Sequence, residues 1–186
     1  MNVTKYDHEP WISTFTGKKV FPWAPKPEDI ELLDIAIALS RTPRFRGHTR
    51  EFYSVAQHCV IASYLVPKAD ALWALLHDAP EAYIGDLPKP LKQMLPDWER
   101  ADVLLTYAVC QRFNLPLEMP ESVIEVDRLL LVTEAEIHLE YHVDNWHRTL
   151  GVMPDPALIL DPMSINEAFT NFILRYTELT GVRILE

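Results

Sequence analysis

The sequence predicts an all-α domain with a small β appendage, and three observations carry that prediction. Apolar residues recur at three- and four-residue spacing through most of the 186 residues. Prolines fall between these segments, at Pro43, Pro67 and Pro88, and so mark helix ends. β-prone residues concentrate in Phe15-Thr16-Gly17-Lys18-Lys19-Val20-Phe21, where a central glycine suits the turn of a short hairpin.

Each element follows in order. Residues 10–25 form the hairpin appendage of one domain spanning 1–186. From Glu28 the pattern turns helical, with Ile30, Leu33 and Ile37 on one face, and Pro43 ends this first helix. Residues 54–65 make a second helix and residues 69–79 a third, with a short fourth over 88–95. Residues 97–113 are amphipathic, with Ala101, Leu104, Leu105, Ala108 and Val109 on one side. A longer helix is expected over 121–146. Residues 151–163, with three prolines, form a loop before a last helix over 164–180. The chain shows no internal repeat.

Bulk composition narrows the function. Hydrophobic residues make up 48% and charged residues 24%, as in ordinary soluble globular proteins. No apolar run approaches membrane-spanning length, and the N-terminal MNVTKYDHEPW lacks a secretory apolar core. Cys59 and Cys110 make no disulfide framework. A cytoplasmic setting follows. The formal net charge of −10, without a Lys/Arg-rich run, argues against duplex nucleic acid as a partner. An anionic substrate would have to be received by a few local cations, helped by metal.

The chemistry concentrates at His77-Asp78-Ala79-Pro80-Glu81, which ends the apolar run Ala71-Leu72-Trp73-Ala74-Leu75-Leu76. Ionisable groups at the end of a buried helix are costly unless compensated, and a metal ion commonly compensates them. Neighbours on an ideal helix point about 100° apart, so His77 and Asp78 can share an ion only where the helix bends. Pro80 supplies the bend, because its ring clashes with the Leu76 carbonyl. Glu81 faces the same region, and Asp86 follows in a turn led by Gly85. Two further candidate ligands, His58 and Asp127, interrupt apolar helices elsewhere. Mixed imidazole and carboxylate ligation suits Zn, Mn, Fe, Co or Ni better than Ca.

The order His58, His77-Asp78, Asp127 resembles the HD-domain metal-dependent phosphohydrolases. HDAPEAYIGDLPKPLK is similar to the HDxxExxxGDxPxPxK segment of bacterial 5′-deoxynucleotidases. The stretch from Arg44 through His58 resembles small phage and prophage HD proteins, among them dATP triphosphohydrolases. The resemblance runs from about Phe15 to about Glu134. It implies a helical HD fold, in a bacterium or a phage-infected host, holding one divalent transition metal through His58, His77, Asp78 and Asp127. Mg could accompany the substrate phosphates. It further implies catalytic assistance by Glu81 and Asp86, with nucleotide contact by Arg44 and Phe45. Lys89 is a candidate cation for the phosphate. The implied reaction is hydrolysis of phosphate from a (deoxy)nucleotide, either a 5′-deoxynucleoside monophosphate or a triphosphate.

Other readings compete. A nucleotide sensor or partner-binding HD module could keep the metal ligands and turn over little. Glu134, His138 and His142 form a second candidate metal set at four-residue spacing. His138 lies about 16 Å along the helix from Asp127, so one ion cannot use both. A solvated or partly buried helix stripe is the preferred reading of that set. Arg46 and Arg50 read equally well as surface residues. Trp11, Trp23, Trp73, Trp98 and Trp146 suit core or interface, and the helical surfaces fit a homo-oligomer.

Overall fold

The protein was analysed as a computed structural model, which describes residues 10–140 and 150–184. It is mostly helical. The hairpin is present: β1 (Ile12–Ser13) pairs antiparallel with β2 (Lys19–Val20), Ile12 opposite Val20. Gly17 turns the chain at φ +83°, a conformation that costs glycine little. The Thr16 backbone N–H and hydroxyl both donate to Asp34, at 2.7 and 2.8 Å, and so pin the hairpin to the bundle.

Asp34 belongs to α1 (Leu32–Arg41), which starts later than the pattern from Glu28 suggests. Pro27–Asp29 forms only a 3-10 turn, and Ile30 is extended. Ile30 is fully buried and its carbonyl accepts from Arg112 Nε at 2.8 Å, so core packing holds it out of the helix. The next helix, α2 (Val55–Leu65), is capped by the Ser54 side chain, which accepts from the Gln57 N–H at 3.1 Å. Val55, Ala56, Gln57, His58, Cys59 and Val60 are all buried, so the first half of α2 is enclosed on every side, while Tyr64 and Leu65 at its end are exposed.

The third predicted helix is divided. α3 (Ala71–Leu76) ends where the His77–Pro80 turn begins, and α4 (Glu81–Ile84) follows. The Leu76 carbonyl, which Pro80 cannot serve, accepts instead from Ala79 at 3.0 Å. Beyond lie α5 (Lys89–Lys92), α6 (Pro96–Phe113), α7 (Glu121–His138) and α8 (Ile165–Thr180). α8 opens with a full capping box between Ser164 and Glu167.

The helix expected to reach residue 146 stops at His138, with Leu139 extended. Arg50 accounts for the stop. Its N–H takes the His138 carbonyl at 2.9 Å and its guanidinium takes the Leu139 carbonyl at 3.2 Å. Residues 141–149, including His142 and Trp146, lie outside the described residues.

Two buried clusters form the core. One gathers Ile35, Leu39, Cys59, Leu76, Leu105 and Phe172; the other Tyr53, Ala62, Trp73, Leu130 and Leu160. α2 and α3 contribute to both, so the elements carrying His58 and His77 are held from two sides. Gln57 ties down the loop ahead of α8, donating to the Asp161 carbonyl at 2.7 Å and accepting from the Met163 N–H at 2.9 Å. No described helix is long and apolar enough to cross a membrane.

Candidate metal centre

The four predicted ligands converge. His58 Nε2 lies 3.2 Å from His77 Nε2, 3.2 Å from Asp127 Oδ1 and 3.9 Å from Asp78 Oδ2. His77 Nε2 is 3.3 Å from Asp78 Oδ2 and 3.9 Å from Asp127 Oδ1. The bend at Pro80 brings neighbours His77 and Asp78 to one point. His58 and His77 are buried, while the Asp127 side chain is 44% exposed at the mouth.

The outer nitrogens are already committed. His77 Nδ1 lies 2.7 Å from the Ala74 carbonyl, which can only accept, so Nδ1 carries the proton. His58 Nδ1 lies 2.7 Å from Glu134 Oε1 and donates to that carboxylate. With both rings neutral, as metal binding requires, the two Nε2 lone pairs face each other and the two aspartates. Asp78 Oδ2 is buried without a hydrogen-bond partner. Lone pairs and carboxylates converging at this range repel unless a cation lies among them. Burial and Arg44 oppose a charge on His58, yet Glu134 and Asp127 outweigh them and push its pKa up to about 10. Two overlapping donor sets, His58–His77–Asp127 and Cys59–His77–Asp78, each lie close enough together to hold a metal ion.

Glu134 is the supporting residue that sequence reasoning set aside, and its reading as a solvated or partly buried stripe is corrected here. It is fully buried, seven residues and two helical turns beyond Asp127 on the same face of α7. Oε1 accepts from Tyr53 Oη at 3.1 Å and from His58; Oε2 accepts from Arg44 Nε at 3.1 Å and Nη2 at 2.8 Å. Burial alone would raise its pKa, but Arg44 and His58 hold it down at about 2. The seven-residue spacing of two acids in an apolar helix was the available signal. Its apparent companion His138 instead stacks on Tyr53, ring centroids 4.3 Å apart.

Arg44 is thus turned inward, with Nη1 4.0 Å from Asp78 Oδ2. The turn it opens, Arg44–Gly47, places Phe45 at φ +51° and Arg46 at φ +56°, both left-handed. Arg46 Nη1 donates to the Asp86 carbonyl at 3.0 Å, joining this turn to the one led by Gly85.

Glu81 is buried at the cluster's edge. Oε1 accepts from Lys92 Nζ at 3.1 Å, and Oε2 is buried with no partner. Burial, then Asp78 and Asp86, push its pKa well above the carboxylate range; burial also raises Asp86. The structure brings Lys92, the last residue of HDAPEAYIGDLPKPLK, to the site. Lys89 is exposed one turn earlier and forms no ion pair among the described residues.

Cys59 completes the surroundings. It is fully buried, and its Sγ and donor atoms of His77 and Asp78 all lie within 4.8 Å of one another. Burial, then Asp78 and Glu81, push its thiol pKa well up.

Fold and site together define a helical protein with a buried His/Asp centre able to hold a metal ion. No protein-family model matches the chain. It is 36% identical over 176 residues to the uncharacterized protein YfdR of Escherichia coli (strain K12), covering 93% of this chain and 97% of YfdR. It is 32% identical over 181 residues to the uncharacterized protein RCAP_rcc00048 of Rhodobacter capsulatus, covering 86% and 92%. The chain belongs to the family of these proteins.

Proposed function

We propose that the protein is an HD-domain phosphohydrolase that releases phosphate from a (deoxy)nucleotide, mono- or triphosphate, with one divalent transition ion. His58, His77, Asp78 and Asp127 would hold that ion, and Co, Mn, Zn, Fe and Ni all suit the donors. The observation that carries the reading is a four-donor cluster beside a buried glutamate whose pKa is strongly raised. When bound, such an ion polarises a phosphoryl oxygen and acidifies a water.

The chain's own residues divide the proton work. Lys92 donates to Glu81 Oε1, so the proton that Glu81 retains belongs on Oε2, the oxygen with no partner. Glu81 is therefore the donor to the leaving oxygen, and Asp86, nearer the mouth, takes a proton from the attacking water. Glu134 fixes the His58 ring and its tautomer. Arg44 holds Glu134 and balances the acids behind Asp78.

The test is phosphate release from a panel of deoxynucleoside mono- and triphosphates with added Co, Mn or Mg. Release should disappear in Asp78→Ala together with bound metal. Undiminished release in that variant, with unchanged metal content, refutes the site. Thermal stabilisation by nucleotides without any release would favour a sensor instead.

A further inference from the structure

The cations around the centre differ in how far their charge is already used. Arg44 makes two bonds to one oxygen of Glu134. Lys92 pairs with Glu81 at 3.1 Å. Arg50 pairs with Glu140 at 3.2 Å and caps α7, away from the cluster. Arg46 is different. It is exposed, its bond is to a neutral backbone carbonyl, and it pairs with no carboxylate among the described residues. One of its five N–H groups is occupied, and its charge acts on the nearby Asp86 without a direct ion pair among the described residues. Lys89 also forms no ion pair among the described residues, and no side-chain hydrogen bond among them fastens it to the site.

The backbone beneath Arg46 is specialised. Phe45 and Arg46 are consecutive left-handed residues before Gly47 at φ +79°. Non-glycine residues adopt that conformation at a cost, and surrounding structure must impose it. Here the Arg44 N–H donates to the Tyr53 carbonyl at 2.8 Å, and the Arg44 side chain is clamped by Glu134. The turn is thereby fastened to the metal centre, and from it Arg46 reaches the Asp86 carbonyl.

We propose that Arg46 is the anion-receiving residue of the site, binding non-bridging phosphate oxygens of the substrate from the rim. The inference rests on the phosphohydrolase reading and adds a specificity-determining residue to it. A guanidinium presents two parallel N–H groups to a phosphate, which a lysine cannot reproduce. Each added phosphate increases the attraction to this guanidinium, so pyrophosphate should bind more tightly than orthophosphate.

The experiment uses full-length protein loaded with Co(II), titrated calorimetrically with orthophosphate and with pyrophosphate. Arg46→Ala should weaken pyrophosphate binding at least tenfold, and Arg46→Lys should recover only part of it. Arg46→Gly relaxes the backbone, so its melting temperature should equal or exceed that of Arg46→Ala while binding stays weak. The Co(II) absorption spectrum should be the same in all four proteins, showing an intact centre. Pyrophosphate affinity within twofold of wild type in Arg46→Ala overturns the inference, as does a wild type that binds neither anion. Arg46-dependent binding without phosphate release from any nucleotide would uphold Arg46 and defeat the hydrolase reading.

Discussion

The floor and the rim of the centre are built on opposite rules. On the floor, both imidazole Nδ1 atoms and both oxygens of Glu134 are hydrogen-bonded, and these groups are buried. On the rim, Arg46 is exposed and in no ion pair among the described residues, and the turns that aim Arg46 and Asp86 use left-handed backbone. Imidazoles fixed in this way hold a resident ion in one geometry, because neither ring can turn away without breaking its Nδ1 contact. A rim with unused charge suits a ligand that arrives and leaves. The contrast predicts that floor variants lose stability and metal, and that rim variants lose substrate.

Glu134→Ala tests the floor and carries the largest expected effect. It strands Arg44 and the His58 Nδ1–H in the interior, which should cost about 3–5 kcal/mol. Metal affinity should fall about 10–100-fold as His58 loses its orientation. Urea denaturation and metal titration read the two losses separately. Acid attacks the same group. The Glu134 pKa is depressed, from 4.5 to about 2, so its contribution is complete above pH 4.5 and disappears as pH falls from 4.5 toward 2. Urea midpoints measured across that range should drop more in wild type than in Glu134→Gln, which cannot titrate. Equal acid sensitivity would mean that Glu134 is not the stabilising acid.

The sequence carried the floor's ligands better than its supports. His58, His77, Asp78 and Asp127 stand out because each interrupts an apolar run, and burying such a group demands an explanation. Pro80 even foretold the bend that brings His77 and Asp78 together. Glu134 was harder to place, because its role depends on Arg44 and His58, 90 and 76 residues away. Its local spacing to His138 and His142 offered a competing pattern. The helix ends failed for a similar reason: Arg50, 88 residues upstream, stops α7 at His138. Helical periodicity reports the face that is buried; it says nothing about distant side chains that take the last carbonyls.

Gly85→Ala tests whether rim geometry can be separated from floor stability. Gly85 sits at φ +78°, ψ +156°, a region nearly restricted to glycine, and a Cβ there would meet nothing within 4 Å. The cost is therefore backbone strain alone, about 1–3 kcal/mol. Relief of that strain should shift the turn that carries Asp86 and the carbonyl held by Arg46. Turnover should fall by more than the stability loss explains, with metal content unchanged. A variant that loses metal in proportion to activity would erase the distinction between floor and rim.

The smallest contrast lies within one turn of α5. Lys92 bonds a buried carboxylate and sits 4.7 Å over the Trp98 ring, while Lys89 is exposed and in no ion pair among the described residues. Lys92→Ala removes the one cationic bond that Glu81 makes among the described residues. Because the lysine is one-third exposed, solvent screens the pair and the cost should be only about 1 kcal/mol. The catalytic signature is more diagnostic. With Lys92 gone, Glu81 holds its proton to higher pH, so the alkaline limb of the rate profile should move upward. Lys89→Ala should change neither stability, beyond about 0.5 kcal/mol, nor the pH profile. If the two alanine variants behave alike, proximity to Glu81 is not what distinguishes these lysines. If only Lys89→Ala impairs turnover, the rim's working cation lies outside the cluster, and Arg46 loses its claim as well.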